Sequence, residues 1–265
     1  MLTYPEIDPV IVSFGQLKVR WYGLMYVLGF MATYALVYYQ LARFRWQELS
    51  ERFDNLNLYL ILGVIIGGRL GYVLFYQPAY YVAHPLEVFA TWQGGMSFHG
   101  GCLGVILAGF FFCRYHTLNF WKAADLYVVT VPIGLGLGRI GNFINSELFG
   151  RVTDVPWGMV YPNGGPLPRH PSQIYEALLE GLLLFCILWS LKHKPWQQAP
   201  SRLWPHGSML ALFLILYGVV RIIAEIFREP DPYLGELFMG LTMGQLLSIS
   251  MLAAGTLLWL IRTRK

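Results

Sequence analysis

Seven runs of predominantly apolar residues, each long enough to cross a bilayer, fix most of what this chain can become. About 20 apolar residues traverse the hydrocarbon layer. Such runs lie near 20–40, 55–76, 96–115, 123–142, 172–191, 207–227 and 240–261. Only 13% of the residues are charged, against about a quarter in soluble domains, and a soluble core cannot absorb this much apolar sequence. The spans fill the chain. The expectation is therefore an all-α polytopic membrane protein, a single membrane domain over residues 1–265 with no soluble catalytic module. The first 19 residues carry Glu6 and Asp8 and lack a basic stretch followed by a small-residue cleavage site, so the first helix is expected to be retained.

Lys and Arg collect in cytoplasmic loops. Arg43, Arg45, Arg52, Arg114, Lys122, Lys192, Lys194, Arg202, Arg262, Arg264 and Lys265 put eleven basic residues on one side. Lys18, Arg20, Arg151, Arg169 and Arg228 put five on the other. The bias places the N-terminus outside and the C-terminus in the cytoplasm, as an odd number of spans requires. The net charge of +4 fits basic loops at a membrane surface better than nucleic-acid binding. Cys102, Cys113 and Cys186 all fall in apolar runs, at spacings that suggest neither a metal site nor a disulfide, and are expected as buried small side chains.

Three arginines remain inside the spans: Arg69, Arg139 and Arg221. Each is expected within about seven residues of the outer end of its helix, roughly 10 Å below the surface, and His99 opens the third span from that same side. A buried charge costs on the order of 3 kcal/mol, so three at one depth call for a ligand or partners. Tyr217, Arg221 and Glu225 fall at i, i+4 and i+8 on one face of the sixth helix. Arg139 and Asn142 share a face of the fourth, among Gly134, Gly136, Gly138 and Gly141, which admit a neighbouring helix or a ligand. Glu147 and Arg151 are i, i+4 partners if that helix continues, and Ser172 is a candidate N-cap with Glu176 one turn on.

Arginine presents a rigid fork of donors that matches phosphate oxygens, and a phospholipid headgroup lies at this depth. A transporter or channel for an anionic solute is the alternative, although its site belongs near the midplane on interrupted helices. A lipid-binding membrane protein without catalysis is a second.

The stretches "RWYGLMY" at 20–26, "HGG" at 99–101, "GRIGNFINSELFGR" at 138–151, "RHPSQIYE" at 169–176 and "YGVVRIIAEIFREPD" at 217–231 together resemble the bacterial prolipoprotein diacylglyceryl transferases, in order and over nearly the whole chain. The resemblance implies transfer of the sn-1,2-diacylglyceryl group of phosphatidylglycerol to the lipobox cysteine of a prolipoprotein, with a thioether formed and glycerol 1-phosphate released. It implies His99, Arg139 and Arg221 as catalytic residues. Arg139, Asn142, Tyr26, Glu147, Gly150, Tyr217 and Glu225 are the expected phosphatidylglycerol-binding set. The partners implied are phosphatidylglycerol and the prolipoprotein signal peptide, with no nucleic acid, no metal and no cofactor. The protein is expected as a monomer in the bacterial inner membrane, its N-terminus periplasmic, its C-terminus cytoplasmic and its active site toward the periplasmic leaflet. A small periplasmic head would cover about 143–171, and loop 77–95, with Tyr80, Tyr81 and Trp92, would lie along the interface. One departure from the family pattern is Ser146, where many relatives have glycine, a change expected to be harmless.

Overall fold

The computed structural model describes residues 2–15, 17–197, 204–230 and 240–264. Arg202 and Lys265 of the charge count and Asp231 of the last motif lie outside the described residues. Seven helices are long and apolar enough to cross a membrane: α1 (Trp21–Phe44), α2 (Phe53–Phe75), α3 (Phe98–Tyr115), α4 (Phe120–Ile144), α5 (Ser172–Trp196), α6 (Ser208–Phe227) and α7 (Met243–Thr263). The remaining regular structure is slight. Strand β1 (Leu2–Thr3) pairs in parallel with β4 (Met159–Val160), and β2 (Val10–Phe14) forms a hairpin with β3 (Leu17–Arg20).

Two compact units are distinguished, residues 1–37 with 124–265, and residues 38–123. In the smaller unit α2 and α3 pack through glycine. A Cβ added at Gly104 would stand 2.0 Å from the Gly63 carbonyl oxygen, and one at Gly100 would stand 2.3 Å from that of Gly67, so no larger residue fits this crossing. Ser97 caps α3, its Oγ accepting from the Gly100 amide at 3.2 Å. Between the two helices, short helical turns at Pro78–Ala83, Pro85–Phe89 and Thr91–Gln93 expose Val82, Leu86, Phe89 and Trp92.

In the larger unit α4 is not the continuous helix expected. It runs as Phe120–Val128 and Val131–Ile144, because Pro132 cannot donate to the preceding turn and Thr130 turns its hydroxyl onto the Tyr127 carbonyl at 2.7 Å. Its second half touches α5 where Gly136 meets Gly181, the Cβ of either standing within 3.0 Å of the other's Cα. Alongside, α5 widens into a π-helical turn at Ala177–Leu183. Val128, Val129, Leu184, Leu188 and Met209 form the buried core of α4, α5 and α6. Buried Asp125 reaches from α4 to cap α6, accepting from the Gly207 amide at 2.7 Å and the Leu210 amide at 3.1 Å. Helix α7 opens with a reciprocal Thr242–Gln245 capping box.

Three expectations are corrected. The Pro171–Ser172 start of α5 is not capped by serine: Ser172 Oγ donates to the Leu148 carbonyl at 3.0 Å, tying the helix to the head segment. Helix α4 ends at Ile144, and Ser146 and Leu148 then turn the chain at φ 55° and 57°. Glu147 and Arg151 are therefore not helical partners. Of the cysteines only Cys113 is buried, while Cys102 and Cys186 are exposed on the flanks of their helices, an apolar exposure that suits a lipid-facing surface.

Candidate active site

The polar centre of the larger unit is built by α4, α5 and α6, each supplying charged side chains from within an apolar run. Arg139 on α4 lies with its Nε 2.7 Å from Glu176 Oε2 as an ion pair, and its Nε and Nη2 donate to Glu180 Oε2 at 3.3 Å and 3.2 Å. Arg221 on α6 reaches both of these glutamates through Nη1, at 2.9 Å to Glu176 and 3.0 Å to Glu180. Its Nη2 lies 2.8 Å from Glu225 Oε2 one turn along the same helix. Arg228, just past the end of α6, adds a contact to Glu176 Oε1 at 3.3 Å. Thr242 Oγ1 donates to Glu225 Oε1 at 2.9 Å.

Three guanidiniums and three carboxylates thus interlock, with formal charge summing to zero. Burial of such groups is tolerable only when each is paired and hydrogen-bonded. The side chains of Glu176 and Glu180 are 1% and 0% exposed, and those of Arg139 and Arg221 are 18% and 11% exposed. The carboxylates hold one edge of each arginine. An arginine carries five N–H donors, so the pair keeps further donors available to an anion.

Of the residues expected in the site, the structure assembles Arg139, Arg221 and Glu225 directly. Tyr217, one turn from Arg221, stacks on Phe213 with ring centroids 5.7 Å apart. Asn142 is buried and donates to Glu147 Oε1 at 2.8 Å, with Asn145 donating to the same oxygen at 3.2 Å. Glu147 therefore gathers the two asparagines at the end of α4 instead of pairing with Arg151, whose Nε donates to the Arg228 carbonyl at 3.0 Å. Gly150 is a point of backbone approach: a Cβ there would stand 2.4 Å from the Phe227 carbonyl oxygen and 2.7 Å from His170 Cβ. Gly150 bridges to Arg228, so the segment after α4 is stitched to the end of α6. Tyr26 on α1 is half exposed and shares a 3.2 Å hydroxyl contact with Tyr22, whose ring packs on Gly141. Gly138, by contrast, faces open space.

His99 belongs to the smaller unit. It lies in the first turn of α3, exposed, against the edge of the Phe98 ring, with no hydrogen-bond partner among the described residues. Arg69, in the same unit, is spent on backbone. It donates to the carbonyls of Val88 at 2.8 Å, Gly94 at 2.7 Å, Gly95 at 3.2 Å and Glu87 at 2.6 Å. Of the ligand or partners that its burial calls for, it has partners, since its fork pins the 87–95 turn. His170 packs structurally. Its Nδ1 faces the Tyr175 hydroxyl at 3.2 Å, and burial pushes its pKa below the ordinary histidine value.

Sequence reasoning missed Glu180 and the part played by Arg228, and gave Glu176 no firm place. A signal was present: Glu176 and Glu180 stand i, i+4 inside an otherwise apolar run, and charges there need partners.

A family model described as prolipoprotein diacylglyceryl transferase matches residues 9–261. The chain is 61% identical to a phosphatidylglycerol–prolipoprotein diacylglyceryl transferase of Desulfotalea psychrophila, over 97% of this chain and 94% of that protein. It is 50% identical to the protein of the same name from Legionella pneumophila strain Corby, over 98% of each. It is 52% identical to the one from Pseudomonas aeruginosa strain LESB58, over 96% of this chain and 93% of the relative.

Proposed function

The chain belongs to the prolipoprotein diacylglyceryl transferase family, and from that premise we propose that it moves the sn-1,2-diacylglyceryl group of phosphatidylglycerol onto the lipobox cysteine thiol of a prolipoprotein. The observation that carries this reading in the molecule itself is the buried Arg139–Arg221 pair, fixed on one edge by carboxylates and keeping donors on the other.

The reaction is a displacement at the glycerol carbon that bears the phosphate oxygen. A sulfur–carbon bond forms, the carbon–oxygen bond breaks, and its electron pair leaves with glycerol 1-phosphate. The thiol must first lose its proton, since the thiolate is the nucleophile. A free thiol titrates near 8.5 and histidine near 6.5. His99 takes the proton, directly or through water; its ring has no competing hydrogen bond among the described residues. Arg139 and Arg221 meet the phosphate, whose negative charge grows as the bond breaks, in a site where fixed donors need no reorganisation. Asn142, held by Glu147, and Tyr26 orient the headgroup. Glu225 fixes Arg221, Tyr217 lines the deeper side, and Gly150 lets the loop approach closely.

The basic-residue bias supports a periplasmic N-terminus, a cytoplasmic C-terminus and a site toward the periplasmic leaflet of the inner membrane, under a head of about 143–171. The enzyme acts as a monomer in this reading. An anion transporter is not favoured, because family membership supplies a chemistry that the arginine pair fits.

The test is incubation of the purified protein with phosphatidylglycerol vesicles and a lipobox peptide. A mass gain of one diacylglyceryl group on cysteine, with release of glycerol 1-phosphate, is expected; no gain with a folded protein rejects the reading.

A further inference from the structure

We propose that Glu180, seconded by Glu176, is a positioning residue that balances the charge of the arginine pair, so that the clamp grips the bound headgroup weakly and the departing phosphate strongly. The inference rests on the reading above that Arg139 and Arg221 meet the lipid phosphate.

Glu180 is the deepest member of the array. Its side chain is 0% exposed, and among the described residues its carboxylate meets the guanidiniums of Arg139 and Arg221 and no other donor. Nothing in its surroundings suggests a role outside that pair. The groups around it are Arg139 on α4, Glu176 on its own helix, Tyr217, Arg221 and Glu225 on α6, and Arg228 beyond it. Its reach is fixed by backbone. Gly181, the next residue, touches Gly136, so α4 and α5 approach as closely as two helices can beside the carboxylate. The π-helical turn over Ala177–Leu183 frames this contact.

The charge count gives the arrangement its consequence. Three arginines alone would confront a phosphodiester of charge −1 with three buried cations. In a medium of low effective dielectric that attraction is large, and much of it would already be spent on the bound substrate. Binding already made in the ground state does not speed the chemical step. With Glu176, Glu180 and Glu225 in place the array is neutral, and the arginines are fixed in orientation. The gain then comes from charge that appears only as the carbon–oxygen bond breaks and the phosphate moves toward a dianion.

The experiment separates charge from position. Glu180→Gln keeps the shape and removes the charge; Glu180→Asp keeps the charge and withdraws the carboxylate by one methylene. Transfer kinetics with phosphatidylglycerol and a lipobox peptide give kcat, and inhibition by glycerophosphoglycerol, a phosphodiester of charge −1 that lacks the acyl chains, gives a Ki for the headgroup. For Glu180→Gln, Ki is expected to fall about tenfold while kcat falls at least about tenfold. For Glu180→Asp, kcat falls with Ki within about twofold of wild type. Residue loss that acts only through folding lowers kcat and the melting temperature and leaves Ki where it was. An unchanged or raised Ki in Glu180→Gln, or Ki moving alike in both variants, overturns the proposal. Should Glu180→Gln fail to fold, Glu176→Gln carries the same expected tightening, and its absence counts equally against the idea. If the wild-type protein transfers no diacylglyceryl group, it is the functional reading that fails instead.

Discussion

Arg69 and Arg139 look alike in sequence, each following glycine in a membrane helix, yet the structure uses them oppositely. Arg69 sits in "GGRLGY" and Arg139 in "LGRIGN". Arg69 gives its fork to four backbone carbonyls within about 26 residues of itself, and its guanidinium stacks 5.2 Å from the Tyr81 ring centroid. Those oxygens are neutral and belong to the turn that the arginine pins. Arg139 gives its fork to carboxylates on another helix, 41 residues away for Glu180. A carbonyl cradle consumes an arginine, whereas a carboxylate lattice orients it and cancels its charge. Residue type does not distinguish the two roles; the identity of the acceptors does.

The largest expected effect tests that contrast directly. Arg139→Ala and Arg221→Ala should each lower diacylglyceryl transfer by at least about a hundredfold, the scale of losing a fixed donor to developing charge, while both variants remain inserted and folded. Near-normal rates in both would remove the phosphate clamp. A smaller loss of activity but a larger loss of stability is expected of Arg69→Ala. It removes the donors that hold the 87–95 turn, at about 3 kcal/mol by denaturant or thermal unfolding in detergent, with specific activity per folded molecule largely kept. Full stability with abolished turnover in that variant would break the comparison by making Arg69 a site residue.

His99→Gln sharpens the comparison between the units. A fall of about a hundredfold in kcat is expected for loss of a general base, with the melting temperature unchanged; a wild-type rate removes the base assignment alone. Gly95→Ala addresses the carbonyl cradle: Gly95 has φ 73°, and a Cβ would stand 2.7 Å from the Tyr72 ring and 2.9 Å from Arg69 Nη1. Destabilisation of about 2 kcal/mol is expected, again without a specific loss of chemistry.

The smallest effect comes from the segment behind Asn142. Ser146 holds φ 55°, and its buried hydroxyl has no hydrogen-bond partner among the described residues. The serine is thus a modest strain, which explains why glycine suits the position. Ser146→Gly should raise stability by about 1 kcal/mol, the usual cost of a left-handed non-glycine residue, and leave transfer unaltered. A lower melting temperature would show that the serine is held by something other than local backbone preference.

Much of this fold was legible in the chain. Length and apolarity alone locate seven spans, since the hydrocarbon thickness sets their length. The i, i+4 spacing also anticipates the Arg221–Glu225 contact, because neighbours on one helix face meet whatever the tertiary structure. Other features were beyond local reasoning. The break in α4 follows from Pro132 together with the Thr130 hydroxyl, and the turn at Ser146 and Leu148 from left-handed residues that carry no glycine signal.

The sequence by itself determined that this chain is a seven-span membrane protein of its family, with arginines and glutamates where lipid would forbid them unpaired. Only the tertiary structure decided which charge answers which: that Glu176 and Glu180 join Arg139 to Arg221, while Arg69 is given to carbonyls. The reason is physical. Apolarity and helical period are local and act along the chain. A buried ion pair instead depends on the distance between helices, which is set by backbone contacts such as that of Gly136 with Gly181.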